Sequence, residues 1–326
     1  MAISEQQGAL EVPARVIPVP TSISPEAQAI LAMGPMKGAP PPPLDDLDGW
    51  RASGQSGDAY LVESLGHLSA GTTAEVTELD VDGVRVFDIR PEGVANDDPH
   101  VVLEIHGGAL VIGAGEACKV MALGAVDGIG RRMWAVDYRM PPDHPYPAAL
   151  DDCLTVYRKL LEDRGPEHVV VRGGSAGGNL GAALVLRARD EGLPLPAGAV
   201  LMTPEVDLTE SGDSFQTNLG VDTVLTASLM PQNLLYAGGH DLTDPYLSPL
   251  FGDFTKGFCP TLLTAGTRDL FLSNAVRLHR ALRRAGVRAE LHVTEAAPHG
   301  LFFGAAPEDR EITAESRRFI DELFAD

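Results

Sequence analysis

From about residue 100 onward, short apolar runs alternate with longer stretches of helical spacing. The runs are HVVLEIHGG (100–108), MWAVDYR (133–139), HVVVRGGS (168–175), GAVLMTP (198–204), CPTLLTAGTRD (259–269) and AELHVTEA (289–296). They are nearly unbroken Val, Leu, Ile and Ala, which suits strands buried on both faces. The stretches between them predict helices near 116–130, 147–164, 176–191, 273–286 and 308–324, the fourth capped by Ser273 and stopped by Gly286. Strand–helix alternation implies right-handed crossovers and a mostly parallel central sheet flanked by helices, an α/β fold. Ahead of it, TAEVTELDV (73–81) and VRVFDIR (84–90) alternate with period two, and the Asp82-Gly83 pair between them predicts a hairpin.

Two regions break the pattern. Residues 1–45 are Pro-rich, with one helix predicted at SPEAQAILAM, capped by Ser24 and opened by Pro25. Residues 1–70 therefore read as a peripheral segment and 71–326 as the main domain. Residues 205–250 are turn-rich, and a long insertion between two sheet strands suits a lid or pocket wall. No repeat of fixed period is present.

Composition narrows the function. The chain has 326 residues, 44% of them hydrophobic, and a net charge of −21. A phosphate backbone needs a basic footprint and an anionic membrane surface attracts one, so neither nucleic acid nor membrane is an expected partner. Cys118, Cys153 and Cys259 are too few and too widely spaced for a disulfide framework or a zinc motif, so no metal site or cofactor is expected. The first residues, MAISEQQGALEVPARV, carry neither a basic nor an apolar secretory region. The least charged stretch, 223–240, is broken by Pro231, Gln232 and Asn233. The expected location is cytoplasmic.

The densest chemistry lies in RGGSAGGNL (172–180). It contains neither the phosphate-loop string nor the dinucleotide fingerprint. It does satisfy G-x-S-x-G, as Gly173-Gly174-Ser175-Ala176-Gly177, between an apolar run and a helical stretch, which is the context of a nucleophile elbow. Gly173 and Gly177 flank a sharp turn that leaves no room for side chains. The helix that follows aims free N–H groups and its positive dipole end at a developing oxyanion, with Ala176 as a natural donor.

A serine needs a base, and the base needs an acid. His299, in EAAPHGLFF, follows the last apolar run, and Asp269 follows the preceding one. Strand ends of that kind are where such sheets place their chemistry. The order Ser175, Asp269, His299 is that of α/β-hydrolases. Asp207 and Asp137 compete for the acid's role, while His67, His144 and His240 are loop residues without motif support. The second oxyanion element is expected in HGGALVIG (106–113), where Gly108 and Ala109 offer N–H groups, Gly107 gives the loop freedom and His106 braces it. Should Ala109 require positive φ, it costs about 1 kcal/mol.

These strings, with VDYRMPPDHPYPAALDD (136–152), TPEVDLT (203–209), DPYLSPL (244–250) and PHG (298–300), resemble the hormone-sensitive-lipase-like family of bacterial esterases from about residue 75 to the C-terminus. The resemblance implies an α/β-hydrolase fold with a helical cap built from residues 1–70 and an insertion at about 205–240. It implies Ser175 as nucleophile, His299 as base, Asp269 as orienting acid, and Gly108, Ala109 and Ala176 as oxyanion donors. The implied activity is hydrolysis of a small-molecule, short-chain or cyclic ester, with a lactonase using the same residues as the close alternative. A non-catalytic ligand-binding protein on this fold is the alternative of another class. Homodimers are common in the family, and the last strand is a potential free edge. Three positions depart from the family pattern: Gly174 stands where Asp or Thr is usual, Ala109 where Gly is usual, and Glu205 where an aromatic residue is common. Glu205 is expected to line or border the pocket and to favour polar or cationic substrates.

Overall fold

The computed structural model describes residues 10–325. Asp82 and Gly83 both take positive φ, 51° and 86°, the geometry that matches a two-residue turn to the twist of its strands. They join β1 (Glu75–Val81) to β2 (Val84–Arg90), with Val81 opposite Val84. The apolar runs become β3 (Val101–Ile105), β4 (Met133–Asp137), β5 (Val169–Gly174), β6 (Gly198–Met202), β7 (Thr261–Gly266) and β8 (Ala289–Thr294). All eight lie in one sheet in the order β1-β2-β4-β3-β5-β6-β7-β8. β2 pairs antiparallel with β1 and β4, and the remaining neighbours pair parallel.

Successive residues of the inner strands feed opposite faces. Val102, Val170, Val200 and Leu262 pack against α3 (Glu116–Ile129) and α9 (Pro307–Ala325). Leu103 and Val171 pack against α4 (Ala148–Arg164) and α5 (Ala176–Asp190), while Leu201 and Leu263 meet α5 and α8 (Leu272–Arg284). Burial on both faces is why these strands read as continuous apolar runs. The sheet is that of an α/β-hydrolase.

Among its described residues the N-terminal segment holds two helices. In α1 (Pro25–Ala32), Ser24 Oγ accepts from Ala27 N at 3.1 Å, and Pro25 opens the helix. The second, α2 (Leu47–Ser69), runs for 23 residues and carries His67, expected in a loop. It was not expected from the sequence. Only Trp50 is buried along it, and it contains Gly49, Gly54, Gly57 and Gly66, so it lacks both an apolar stripe and helix propensity. Its support is external: it packs along α3, with Leu68 close to Gly124. The insertion after β6 adds α6 (Ser214–Thr217) and α7 (Met230–Ala237) among turns. Ser273 does not cap α8. The helix begins at Leu272, and Ser273 exchanges hydrogen bonds of 2.9 Å with Ser214 in both directions, tying α8 to the insertion. Among the described residues, no helix is long and apolar enough to cross a membrane.

Candidate active site

β5 ends at Gly174 and α5 begins at Ala176, so Ser175 alone makes the turn, at φ 55° and ψ −117°. Such geometry is strained for any residue but glycine, and the surroundings impose it. A Cβ on Gly177 would stand 1.9 Å from the Ile105 carbonyl oxygen, and one on Gly173 would stand 2.3 Å from the Gly177 carbonyl oxygen. Gly178 lets the helix approach Pro204, whose Cβ would be 2.7 Å from an added methyl group. Gly174 is different: its Cβ would meet nothing nearer than Met202 Cε at 3.5 Å, an ordinary contact.

Ser175 Oγ lies 2.9 Å from His299 Nε2, and His299 Nδ1 lies 3.1 Å from Asp269 Oδ1. The three positions come from β5–α5, the loop after β7 and the loop after β8. Asp269 Oδ1 also accepts from Phe271 N at 2.8 Å, and the Phe271 ring stands edge-on to the imidazole at 4.8 Å. With Nδ1–H donated to the carboxylate, the lone pair of Nε2 faces the serine hydroxyl. Burial disfavours the imidazolium, but the charge and hydrogen bond of Asp269, joined by Asp222 and Glu205, outweigh it and raise His299 above its ordinary 6.5.

The loop after β3 closes against this turn. A Cβ on Gly107 would lie 3.0 Å from the Gly174 carbonyl oxygen and 3.4 Å from Ser175 Cβ. Gly108 has φ 125° and Ala109 φ 52°, so Ala109 does take the left-handed backbone that costs alanine about 1 kcal/mol. Among the described residues no protein group accepts from the N–H of Gly108, Ala109 or Ala176. His106 braces the loop: its Nδ1 donates to the Gly107 carbonyl oxygen at 2.7 Å, and its ring stacks on Tyr138 at 4.0 Å. Burial pushes it down to about 4, so it stays neutral.

This arrangement can carry out acyl transfer, and the comparisons with known proteins agree. A family model described as alpha/beta hydrolase fold matches residues 102–303. An acetyl-hydrolase of Streptomyces hygroscopicus is 36% identical over 61% of this chain and 66% of its own. An esterase of Acinetobacter venetianus is 28% identical over 78% and 84%. The crystal structure of esterase E25 superposes with a TM-score of 0.87 at 35% identity, covering 96% of this chain and 98% of that one. An esterase from the bacterial hormone-sensitive lipase family superposes at 0.78 with 30% identity, covering 93% and 100%. The chain belongs to the hormone-sensitive-lipase-like esterases of the α/β-hydrolase family. It is a carboxylesterase-type hydrolase.

In the esterase the rival acids are occupied elsewhere. Asp207 is completely buried; desolvation disfavours its charge, but hydrogen bonds from Ser211, Thr209 and Arg277 win and lower its pKa. Asp137 accepts from Arg85 and from Gly115 N. Glu205, expected to line or border the pocket, is 0% exposed, and its backbone N–H donates to the Ser175 carbonyl oxygen at 3.2 Å, so it stands against the nucleophile turn with its carboxyl closed off from solvent. Its Oε1 accepts from Asn233 Nδ2 of α7 at 3.0 Å, and burial pushes it up to about 8, so it is mostly uncharged at neutral pH and cannot recruit cations there. Among the described residues, His106, Cys118 and Asp137 place ligand-type atoms within 4.8 Å of one another. The pairing of Asp137 with Arg85 and the Gly115 N–H leaves this group poorly suited to an ion.

Sequence reasoning missed Asp222. Its buried carboxylate reaches both the Asp269 loop and the His299 loop from the insertion, and no local motif marks it.

Proposed function

We propose that the esterase hydrolyses short-chain or otherwise small carboxylic esters through an acyl-enzyme on Ser175. The observation that carries this reading is the continuous hydrogen-bonded line from Ser175 Oγ through His299 to Asp269. Ser175 Oγ attacks the ester carbonyl carbon while His299 Nε2 takes its proton and Asp269 steadies the imidazolium. The N–H groups of Gly108, Ala109 and Ala176 receive the oxyanion, each worth about 2.7–4 kcal/mol of barrier by analogy with measured oxyanion donors. The carbon–oxygen bond to the alcohol breaks, and His299 protonates the leaving oxygen. Water then attacks the acyl group, gives its proton to His299, and the acid departs as Ser175 recovers its hydrogen.

Small acyl groups suit the apolar cluster that borders the oxyanion loop and the acid-bearing loop. Phe215, Leu225 and Leu229 of the insertion cluster with Leu270, Phe271 and Ala109, an apolar enclosure beside the nucleophile turn. The N-terminal segment and the insertion act as the cap: Met36 N donates to Thr223 O at 2.7 Å, and Ile23, Ala27 and Leu31 pack on Ala296, Ala297 and Phe302 of the His299 loop. Ser175→Ala should abolish hydrolysis of p-nitrophenyl acetate and butyrate without changing the melting temperature, and persistent turnover refutes the assignment. A panel of esters and lactones of graded size, followed by proton release, tests the size preference. Faster turnover of long-chain esters or of lactones than of acetate and butyrate would overturn it.

A further inference from the structure

We propose that Asp222 is a positioning residue that fixes the separation between the acid-bearing and base-bearing loops and relays the placement of the cap to them. Its carboxylate is 0% exposed and gathers four backbone donors. Oδ1 accepts from Val224 N at 2.9 Å, Leu225 N at 3.2 Å and His299 N at 3.3 Å; Oδ2 accepts from Leu270 N at 2.8 Å. The first two bonds close its own turn. The other two join distant segments: the Leu270 N–H belongs to the peptide that follows Asp269, and the His299 N–H belongs to the base itself. One rigid carboxyl therefore sets where both loops stand.

The same stretch of the insertion makes a parallel tie, from Asn218 Nδ2 to the Asp269 carbonyl oxygen at 2.8 Å. On its other side Thr223 O receives Met36 N at 2.7 Å, so the N-terminal segment bears on the residue next to Asp222. The ionisable groups whose charge acts on His299 are Asp269, Asp222 and Glu205. At neutral pH Glu205 is mostly protonated; burial raises the pKa of Asp222 while the charge of His299 and its backbone N–H partners oppose that rise, and the charge that Asp222 carries raises His299 in turn.

Asparagine at position 222 keeps the shape and one acceptor, but turns an –NH2 group towards the Leu270 or the His299 N–H. A misplacement of about 1 Å at a reacting centre costs up to about a hundredfold in rate. Asp222→Asn should therefore lower kcat for p-nitrophenyl butyrate by about tenfold to a hundredfold, change KM by less than about threefold, and move the acidic limb of kcat/KM to lower pH. Asp152→Asn is the control for a buried carboxylate: Asp152 binds Arg139 from α4 and touches neither loop, so its variant should keep wild-type kcat. Met36→Pro removes the N–H that reaches Thr223 and should lower kcat in the same direction, less steeply.

Wild-type kcat with an unmoved acidic limb in Asp222→Asn, or a loss no larger than that of Asp152→Asn, overturns the proposal. If Asp222→Asn does not fold, wild-type kcat in Met36→Pro overturns it instead. The inference rests on the roles given to Ser175, His299 and Asp269. An active Ser175→Ala protein defeats that reading, whereas an inactive Ser175→Ala beside a fully active Asp222→Asn defeats only this one.

Discussion

Glu205→Gln isolates the effect of one buried proton. Wild-type Glu205 is sealed from solvent and pushed by burial from 4.5 to about 8, with the Asn233 hydrogen bond opposing the rise. Glutamine keeps the shape and an acceptor for Asn233, but it does not titrate. The sign follows from proton counting. Between pH 4.5 and about 8 the folded wild type holds a proton that the unfolded chain has released, so its stability falls as pH rises through that window. The contribution is fully present below 4.5 and lost by about 8. One proton corresponds to about 1.36 kcal/mol per pH unit, so the whole window is worth up to about 5 kcal/mol.

The assay is urea unfolding of both proteins at pH 5, 6, 7 and 8. Stability of Glu205→Gln minus that of wild type should grow with pH, by about 1 kcal/mol per pH unit. A constant offset between the two proteins reflects only the altered hydrogen bond to Asn233 and does not affect the slope. Parallel curves over this range would refute the reasoning, because they would place Glu205 charged and stable in the folded state. The same argument predicts unchanged selectivity between neutral and cationic esters at pH 7, since the carboxyl is mostly uncharged there.

Gly177→Ala should destabilise the esterase by about 3 kcal/mol or more, because the new methyl group meets the backbone carbonyl of Ile105 at 1.9 Å, whereas Gly174→Ala should stay within about 1 kcal/mol of wild type; thermal melts of the pair decide. The acidic limb of kcat/KM should fall above pH 6.5, because the Asp269 interaction raises His299 against the pull of burial; a limb below 6.5 contradicts this. Ala109→Val should cost at least about 1 kcal/mol more than alanine, since a branched side chain at φ 52° is crowded further, and an unchanged melting temperature would count against strain there.

What could be read from the chain divides by the range of its cause. β3 to β8 were legible because burial on both faces writes a continuous apolar run into each strand. The Ser175 turn was legible because the glycines that permit it sit within two residues of it. Asp269 and His299 were found from their places just past strand ends, and the structure sets them within hydrogen-bonding distance of each other and of Ser175. The features missed owe their state to residues far along the chain. α2 is held by α3 and not by its own propensity. Ser273 looked like a cap, but its hydroxyl and N–H serve Ser214, 59 residues away. Glu205 reads as a charged pocket residue until Asn233 of α7, 28 residues on, is laid against its buried carboxyl. Asp222 sits in turn-rich text, and the donors that give it importance, Leu270 N and His299 N, lie 48 and 77 residues downstream.

Gly174 and Gly177 show the limit most directly. Both stand beside the serine, and as letters they are equal. At Gly177 an added methyl group overlaps backbone that cannot move without dislodging the end of β3, so glycine there is a condition of the turn. At Gly174 the same methyl group finds ordinary contact with the end of a methionine side chain, so glycine there is permitted by space and demanded by nothing around it. The motif therefore specifies how the nucleophile is bent, while the residue before it is free to differ without disturbing the bend.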